Sequence, residues 1–300
     1  MMKIILAGGT GLIGNRLSIL LHQRGYEVCL LSRKPENNLF KTYLWCPERG
    51  TIDLAAFESA YAVIQLAGAG IADERWSPAR KSLLINSRVE STQLLKKSFE
   101  QLAHPPQVFL SAAAIGYYGN RADGKVLTEA ALSGGDFLAQ CCVAWEASIQ
   151  DWGDLDVRVA WFRLGLILSH SGGALEKMKL PLHFFLNPYF GNGQQIYSWI
   201  HIDDVCNMFI YALEHPHIQG CYNAVAPHPL SQKEFAKALA EAMNKRYALG
   251  FPIPKNILRM YFGEMADVLL NSNNVSSKKI QGDGFVFQYP ELLPALKNLH

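Results

Sequence analysis

At 300 residues, with 49% hydrophobic and 18% charged side chains, the chain has room for one large α/β domain and a smaller appended one. A net charge of +2 carries no nucleic-acid footprint and no attraction to an anionic membrane surface. No run approaches the roughly 18 uninterrupted apolar residues that span a bilayer, and no charged leader with a cleavage site precedes the first strand, so a cytoplasmic location is expected.

The chain opens on Lys3 to Gly14, where Ile4, Ile5, Leu6 and Ala7 suit a strand buried on both faces. Gly8, Gly11 and Gly14 follow at G-x-x-G-x-x-G spacing, which predicts a tight strand-to-helix turn. The first glycines let the backbone approach a pyrophosphate, and Gly14 lets the helix sit close on the strand. Leu12 to Arg24 reads as an amphipathic helix stopped by Gly25, and Tyr26 to Leu31 supplies the second strand of a βαβ unit. Where an NAD site places a carboxylate for the ribose 2′-OH, this chain has Ser32, Arg33 and Lys34, which suit a 2′-phosphate. The expected cofactor is therefore NADP(H).

Residues 35–40 read as a polar turn, Tyr43 to Trp45 as a short strand, and Asp53 to Ala60 as a helix capped by Asp53. Tyr61 to Leu66 is a further buried strand. Its end, Leu66, Ala67 and Gly68, lies where a doubly wound sheet passes the ribose and phosphates, although a small-residue loop can also serve packing alone. Ser77-Pro78 opens a long helix through Arg80 and Arg88 to about Leu102, Gln107 to Ser111 is a strand, and Asp136 to Gln150 is another helix. Asp156 to Leu164 alternates as a strand. These alternating strands and helices predict a parallel sheet with right-handed crossovers.

Beyond Ser169 the character changes. Ile196 to Ile202 is a short strand, Asp203 and Asp204 can cap a helix over Val205 to Glu214, and Ser231 with Glu234 forms a capping box. A short Phe285-Val-Phe287 strand and a last helix from Pro290 complete a packed lid. The expected division is an NADP-binding domain over 1–170, with segments around 196–225 returning to it, and a smaller domain over 171–300. The six cysteines (Cys29, Cys46, Cys141, Cys142, Cys206, Cys221) show no C-x-x-C pair and sit in apolar segments, which suits buried reduced thiols. No metal site is expected: capping and packing account for His201, Asp203 and Asp204 better than ligation, because no third ligand lies nearby.

Several motifs together resemble the extended short-chain dehydrogenase/reductases, and within them the atypical branch grouped with nucleoside-diphosphate-sugar epimerases. They are Gly-Gly-Thr-Gly-Leu-Ile-Gly (8–14), Leu-Ser-Arg-Lys-Pro (31–35), Leu-Ala-Gly-Ala-Gly-Ile (66–71) and Asn-Ser-Arg-Val (86–89). Further along stand Ile-Gly-Tyr-Tyr-Gly (115–119), Trp-Glu-Ala (145–147), Ser-Trp-Ile-His-Ile-Asp-Asp (198–204) and Gly-Phe-Val-Phe-Gln-Tyr-Pro-Glu-Leu (284–292), the last resembling the small C-terminal domain of that branch. The resemblance implies a Rossmann domain, a doubly wound parallel sheet with a smaller α+β domain, and an NADP(H) site at Gly8, Thr10, Gly11, Leu12, Ile13, Gly14, Ser32, Arg33, Leu66, Ala67, Gly68, Arg88 and Ile167. Arg88 can turn toward a phosphate or form an ordinary surface ion pair.

Extended reductases use a Ser or Thr to orient the substrate oxygen and Tyr-x-x-x-Lys to pass the proton. Here Leu138 and Cys142 fall in the places of that dyad, Ala113 stands at the expected hydroxyl, and no Tyr-x-x-x-Lys occurs between Gly119 and Gly165. Ser111, Tyr117 and Tyr118 are the replacement candidates. Two functions follow: an NADP(H)-dependent oxidoreductase or nucleotide-sugar epimerase on an undetermined small-molecule substrate, or a non-catalytic NADP(H)-binding sensor or regulatory protein. The sequence leaves the oligomeric state open, with a homodimer as one option.

Overall fold

The computed structural model describes residues 1–34, 39–150, 152–153 and 155–300. Most of the expected turn over residues 35–40 lies outside them. The strands are β1 (Lys3–Ala7), β2 (Glu27–Ser32), β3 (Lys41–Cys46), β4 (Thr51–Ile52), β5 (Ala60–Gln65), β6 (Val108–Ala114), β7 (Arg158–Leu164), β8 (Leu166–Leu168), β9 (Leu186–Phe190), β10 (Ile196–Tyr197), β11 (Trp199–His201), β12 (Gly220–Ala224), β13 (Leu230–Ser231) and β14 (Leu249–Ile253). The helices are α1 (Leu12–Gln23), α2 (Pro78–Glu100), α3 (Phe137–Gln150), α4 (Ala174–Lys179), α5 (Ile202–Glu214), α6 (Gln232–Ala242), α7 (Lys255–Phe262), α8 (Asp267–Leu270), α9 (Lys278–Gly282) and α10 (Leu292–Asn298).

The large sheet runs β12-β7-β6-β5-β1-β2-β3-β4 and is parallel except at β4, which closes the far edge antiparallel to β3. Every residue of β1 is buried, as expected of a strand covered on both faces. α1 lies against α5 and α2 against α3, giving two helical layers on one continuous core that includes Leu17, Phe99, Ile149 and Phe209. Strand order reverses between β1 and β5. A cleft therefore opens at the carboxyl ends of these two strands, where doubly wound sheets bind ligands.

A second apolar cluster joins Leu168, Leu175, Trp199, Phe235, Leu239 and Leu296, uniting α4, α6 and α10 beyond the sheet. Ser231 and Glu234 form the capping box that starts α6. Three local expectations are corrected. The stretch after Asp53 is a single 3-10 turn, Leu54–Phe57, because Ala60 is already committed to β5 between β1 and β6. The cap of α5 is His201, whose Nδ1 accepts the Asp203 N–H at 3.1 Å. Asp203 instead pairs with Arg16 at 2.6 Å, and the Asp204 carboxylate accepts the Gln288 and Tyr289 N–H groups at 2.7 and 2.9 Å. The third is residues 285–287, which form no strand. Phe285 and Phe287 are buried edge to face while Val286 is exposed, so the alternation that reads as a strand comes from a chain segment held by Asp204 without a strand partner.

Candidate functional site

The glycine turn is built by steric necessity. Gly8 takes φ +81°, and a Cβ there would lie 2.7 Å from the Ala67 nitrogen; a Cβ on Gly14 would overlap the Gly8 carbonyl oxygen. The Gly11 N–H donates to the Gly8 carbonyl at 3.0 Å, and α1 begins at Leu12 with no side-chain cap and no acidic residue in its first turn. Its leading N–H groups and the positive end of its dipole are thus left for an anion. The half-buried Leu12 and Ile13 side chains pack against the second apolar cluster.

A cavity of about 490 Å³ opens above this turn, bounded by Thr10, Ser32, Arg33, Leu66, Ala67 and Gly68 together with Gly8 and Gly11. Arg33 meets Glu48 at 3.4 Å, both side chains being more than half exposed. The Ser32 hydroxyl donates to the Lys34 carbonyl and accepts its N–H, each at 3.1 Å, which curls the end of β2. Trp45, Glu48, Asp73 and Arg80 also line the cavity, and sequence reasoning missed all four. The Trp45 indole N–H is buried with no partner among the described residues.

Arg88 stands between this cavity and a second. Its Nη1 and Nη2 donate to the Leu84 and Ala69 carbonyls at 2.8 and 3.0 Å, and its guanidinium lies 5.0 Å from the Trp145 ring centre. Burial holds its pKa below the usual arginine value. A Cβ on Gly68 would come within 3.1 Å of the guanidinium carbon, so the small residue at 68 is what admits Arg88 here.

The second cavity, about 310 Å³, is lined by Arg88, Ile115, Gly116, Leu138, Cys142, Trp145, Leu166, Met178, Tyr197, Asn271 and Asn273, among others. Leu138 and Cys142 thus do face the cleft, one helical turn apart on α3. Neither can pass a proton in neutral solution, since burial pushes the Cys142 thiol far up. Ile167 pairs with Ile200 and packs in the core, while its neighbours Gly165 and Leu166 reach the cavity wall.

The three replacement candidates do not reach either cavity lining. Ser111 is fully buried in β6 and its hydroxyl donates to the Ala112 carbonyl. Tyr118 is fully buried, donates to Asn223 Oδ1 at 2.6 Å and accepts from Arg163 at 3.0 Å; burial pushes its phenol up to about 12. Tyr117 lies under the same guanidinium, its ring centre 3.5 Å from the Arg163 Cζ. Arg163 forms a bidentate pair with Glu146 at 2.7 and 2.8 Å, so these tyrosines belong to a closed polar network beside the cleft. Among the described residues no cluster of side chains suits a metal ion.

Asn271 and Asn273 reach the second cavity from a segment almost 160 residues after Ile115. The polar run Asn271-Ser-Asn-Asn274 is its sequence signal, but nothing local says which cavity it would face.

Residues 4–137 and 174–225 match the NAD dependent epimerase/dehydratase family, and residues 253–299 match a domain of unknown function, DUF1731. An epimerase family protein of Staphylococcus epidermidis is 35% identical over 302 residues, covering 100% of this chain and 99% of its own. Among solved structures, the human epimerase family protein SDR39U1 (isoform 2), crystallised with NADPH, superposes with a TM-score of 0.90 at 32% identity over 99% of both chains. A nucleoside-diphosphate sugar epimerase from Corynebacterium glutamicum gives 0.78 at 29% identity, over 98% of this chain and 57% of that one. With its glycine turn, doubly wound sheet and C-terminal lobe all matched from end to end, the chain belongs to the NAD dependent epimerase/dehydratase family, in the extended short-chain dehydrogenase/reductase group that carries the DUF1731 domain.

Proposed function

We propose that this chain is an NADP(H)-dependent oxidoreductase acting on a small carbonyl compound without the Tyr-x-x-x-Lys dyad. The observation that carries the reading is the conjunction at the first cavity: a backbone turn with no room for side chains, an uncapped helix start, and Arg33 at the end of β2. The N–H groups of Leu12 and Ile13 would receive the pyrophosphate, and Arg33 would exchange Glu48 for the 2′-phosphate. NADPH, when bound, supplies a hydride. The chain itself supplies a second cavity with mostly apolar walls, and Arg88 fixes the loop after β5 between the two cavities. The NADPH-bound human relative supports this choice of cofactor.

A second reading, a non-catalytic NADP(H)-binding sensor, is favoured by Leu138 and Cys142 facing the cleft where a proton donor would stand. Titration calorimetry with NADPH and NADH tests the shared premise, with Gly14→Val as control. Heat with NADPH, weaker binding of NADH and none in the variant are expected; silence with NADPH overturns both readings. NADPH consumption in the presence of carbonyl compounds then separates them.

A further inference from the structure

The second cavity holds a polar group that the protein itself does not use. Tyr197 donates its hydroxyl to the Leu269 carbonyl at 2.8 Å, and Ser198 Oγ donates to the Asn273 carbonyl at 2.6 Å while accepting the Val275 N–H at 3.0 Å. Asn271 donates to Asp136 at 3.3 Å, and Arg88 is held by two carbonyls. Asn273 differs. It is 8% exposed, its Oδ1 is enclosed without a donor, and its Nδ2 makes no hydrogen bond to any described residue. Its backbone is fixed on both sides, the N–H on the Ile196 carbonyl at 3.1 Å and the carbonyl on Ser198, so the carboxamide is presented rigidly. The Nδ2 donors, which the described chain leaves unused, can be taken up by a carbonyl oxygen, while Oδ1 stays enclosed.

The rest of the lining decides what kind of ligand. Ile115, Leu138, Trp145, Leu166, Met178 and Leu269 make the walls apolar, and Arg88 is the single charged side chain among the lining residues. A diphosphate needs unengaged cations or a full helix N-terminus; Arg88 is engaged by two carbonyls, and α4 and α8, whose first turns meet the lining at Ala174 and Val268, run only six and four residues. At about 310 Å³ the cavity also lies at the small end of ligand sites, roughly 300–1,000 Å³. We propose that the second cavity takes a small, uncharged, largely apolar carbonyl compound, with Asn273 Nδ2 donating to its carbonyl oxygen, and does not take a nucleoside diphosphate sugar. The proposal rests on the first cavity being the NADP(H) site.

The test is titration calorimetry on NADP⁺-saturated protein, on which a carbonyl compound binds without being reduced. The probes are a series of cyclic and medium-chain ketones and aldehydes, with UDP-glucose as the opposing probe. Binding by members of the series, no binding of UDP-glucose, and a loss of about fivefold or more in Asn273→Leu and the near-isosteric Asn273→Asp would support the inference. NADP⁺ affinity should stay as in the parent. Silence of the whole series, binding of UDP-glucose, or variants that bind the carbonyl compounds as the parent does would overturn it. So would variants that lose NADP⁺ while keeping adenosine 2′,5′-bisphosphate, since Asn273 would then be reading the nicotinamide. Absence of NADP⁺ binding by the parent shows before any carbonyl compound is added; it defeats the functional reading itself and takes this proposal with it.

Discussion

Arg33 and Glu48 meet at 3.4 Å with both side chains more than half exposed, whereas Arg163 and Glu146 form a bidentate pair with 5% and 2% of their side-chain surfaces open to water. The same two residue types stand beside the first and second cavities with opposite consequences. An exposed pair is worth about 0–1 kcal/mol, so an arriving phosphate can displace Glu48 at little cost. The buried pair is embedded in bonds to Tyr118 and Glu129 and under the Tyr117 ring, so it holds the chain around the second cavity and is not free to engage a ligand. An arginine's availability to a ligand here is set by the solvent around its partner.

The sharpest way to break this contrast is Glu146→Ala, which leaves the Arg163 charge buried and unpaired. A loss of about 3–5 kcal/mol is expected from urea unfolding, while Glu48→Ala leaves the unfolding midpoint where it was. Equal stability of the two variants would erase the distinction.

A buried histidine extends it to pH. Burial holds His201 down at about 4, partly countered by Asp203. Above about pH 6.5 His201 is neutral whether folded or not; as pH falls from there to about 4 the unfolded chain takes up a proton that the folded one refuses, so stability drops. That loss should reach about 3 kcal/mol near pH 4 and be reduced in His201→Asn, which keeps a cap acceptor; pH-dependent unfolding of the two proteins checks it. A parallel decline in both would remove His201 as the cause.

At the exposed pair, Arg33→Ala should weaken NADPH by about tenfold to a hundredfold, leave NADH nearly unchanged and leave the unfolding midpoint alone. Calorimetric titrations of both nucleotides measure it. The smallest effect is reserved for Glu48→Gln: NADPH binding tightened by up to about fivefold in low salt, with the gain fading as ionic strength rises. Tightening that persists in high salt would mean Glu48 acts by shape and not by charge.

The strand, the glycine turn, α1 and the Arg33 end of β2 were legible in the sequence because each is set by contacts within about thirty residues: a buried run, a helix start, a backbone approach that only glycine permits. The same holds for the Ser77 cap and the capping box at Ser231. The cap of α5 was misread because Asp203 and Asp204 are drawn off by Arg16 and by residues 288–289, which no local pattern shows. Ser111, Tyr117 and Tyr118 look like reactive groups in the chain, and only the packing of β6 and β7 turns them into the core and onto Arg163. The converse is true of Asn273: unremarkable in sequence, it becomes an unpaired polar group of the second cavity because β10 and Ser198 grip its backbone from 75 residues away. Sequence alone determined the class of nucleotide fold, through short-range sterics; the tertiary structure decided which side chains line the two cavities, because burial and partner choice are properties of contacts between distant segments.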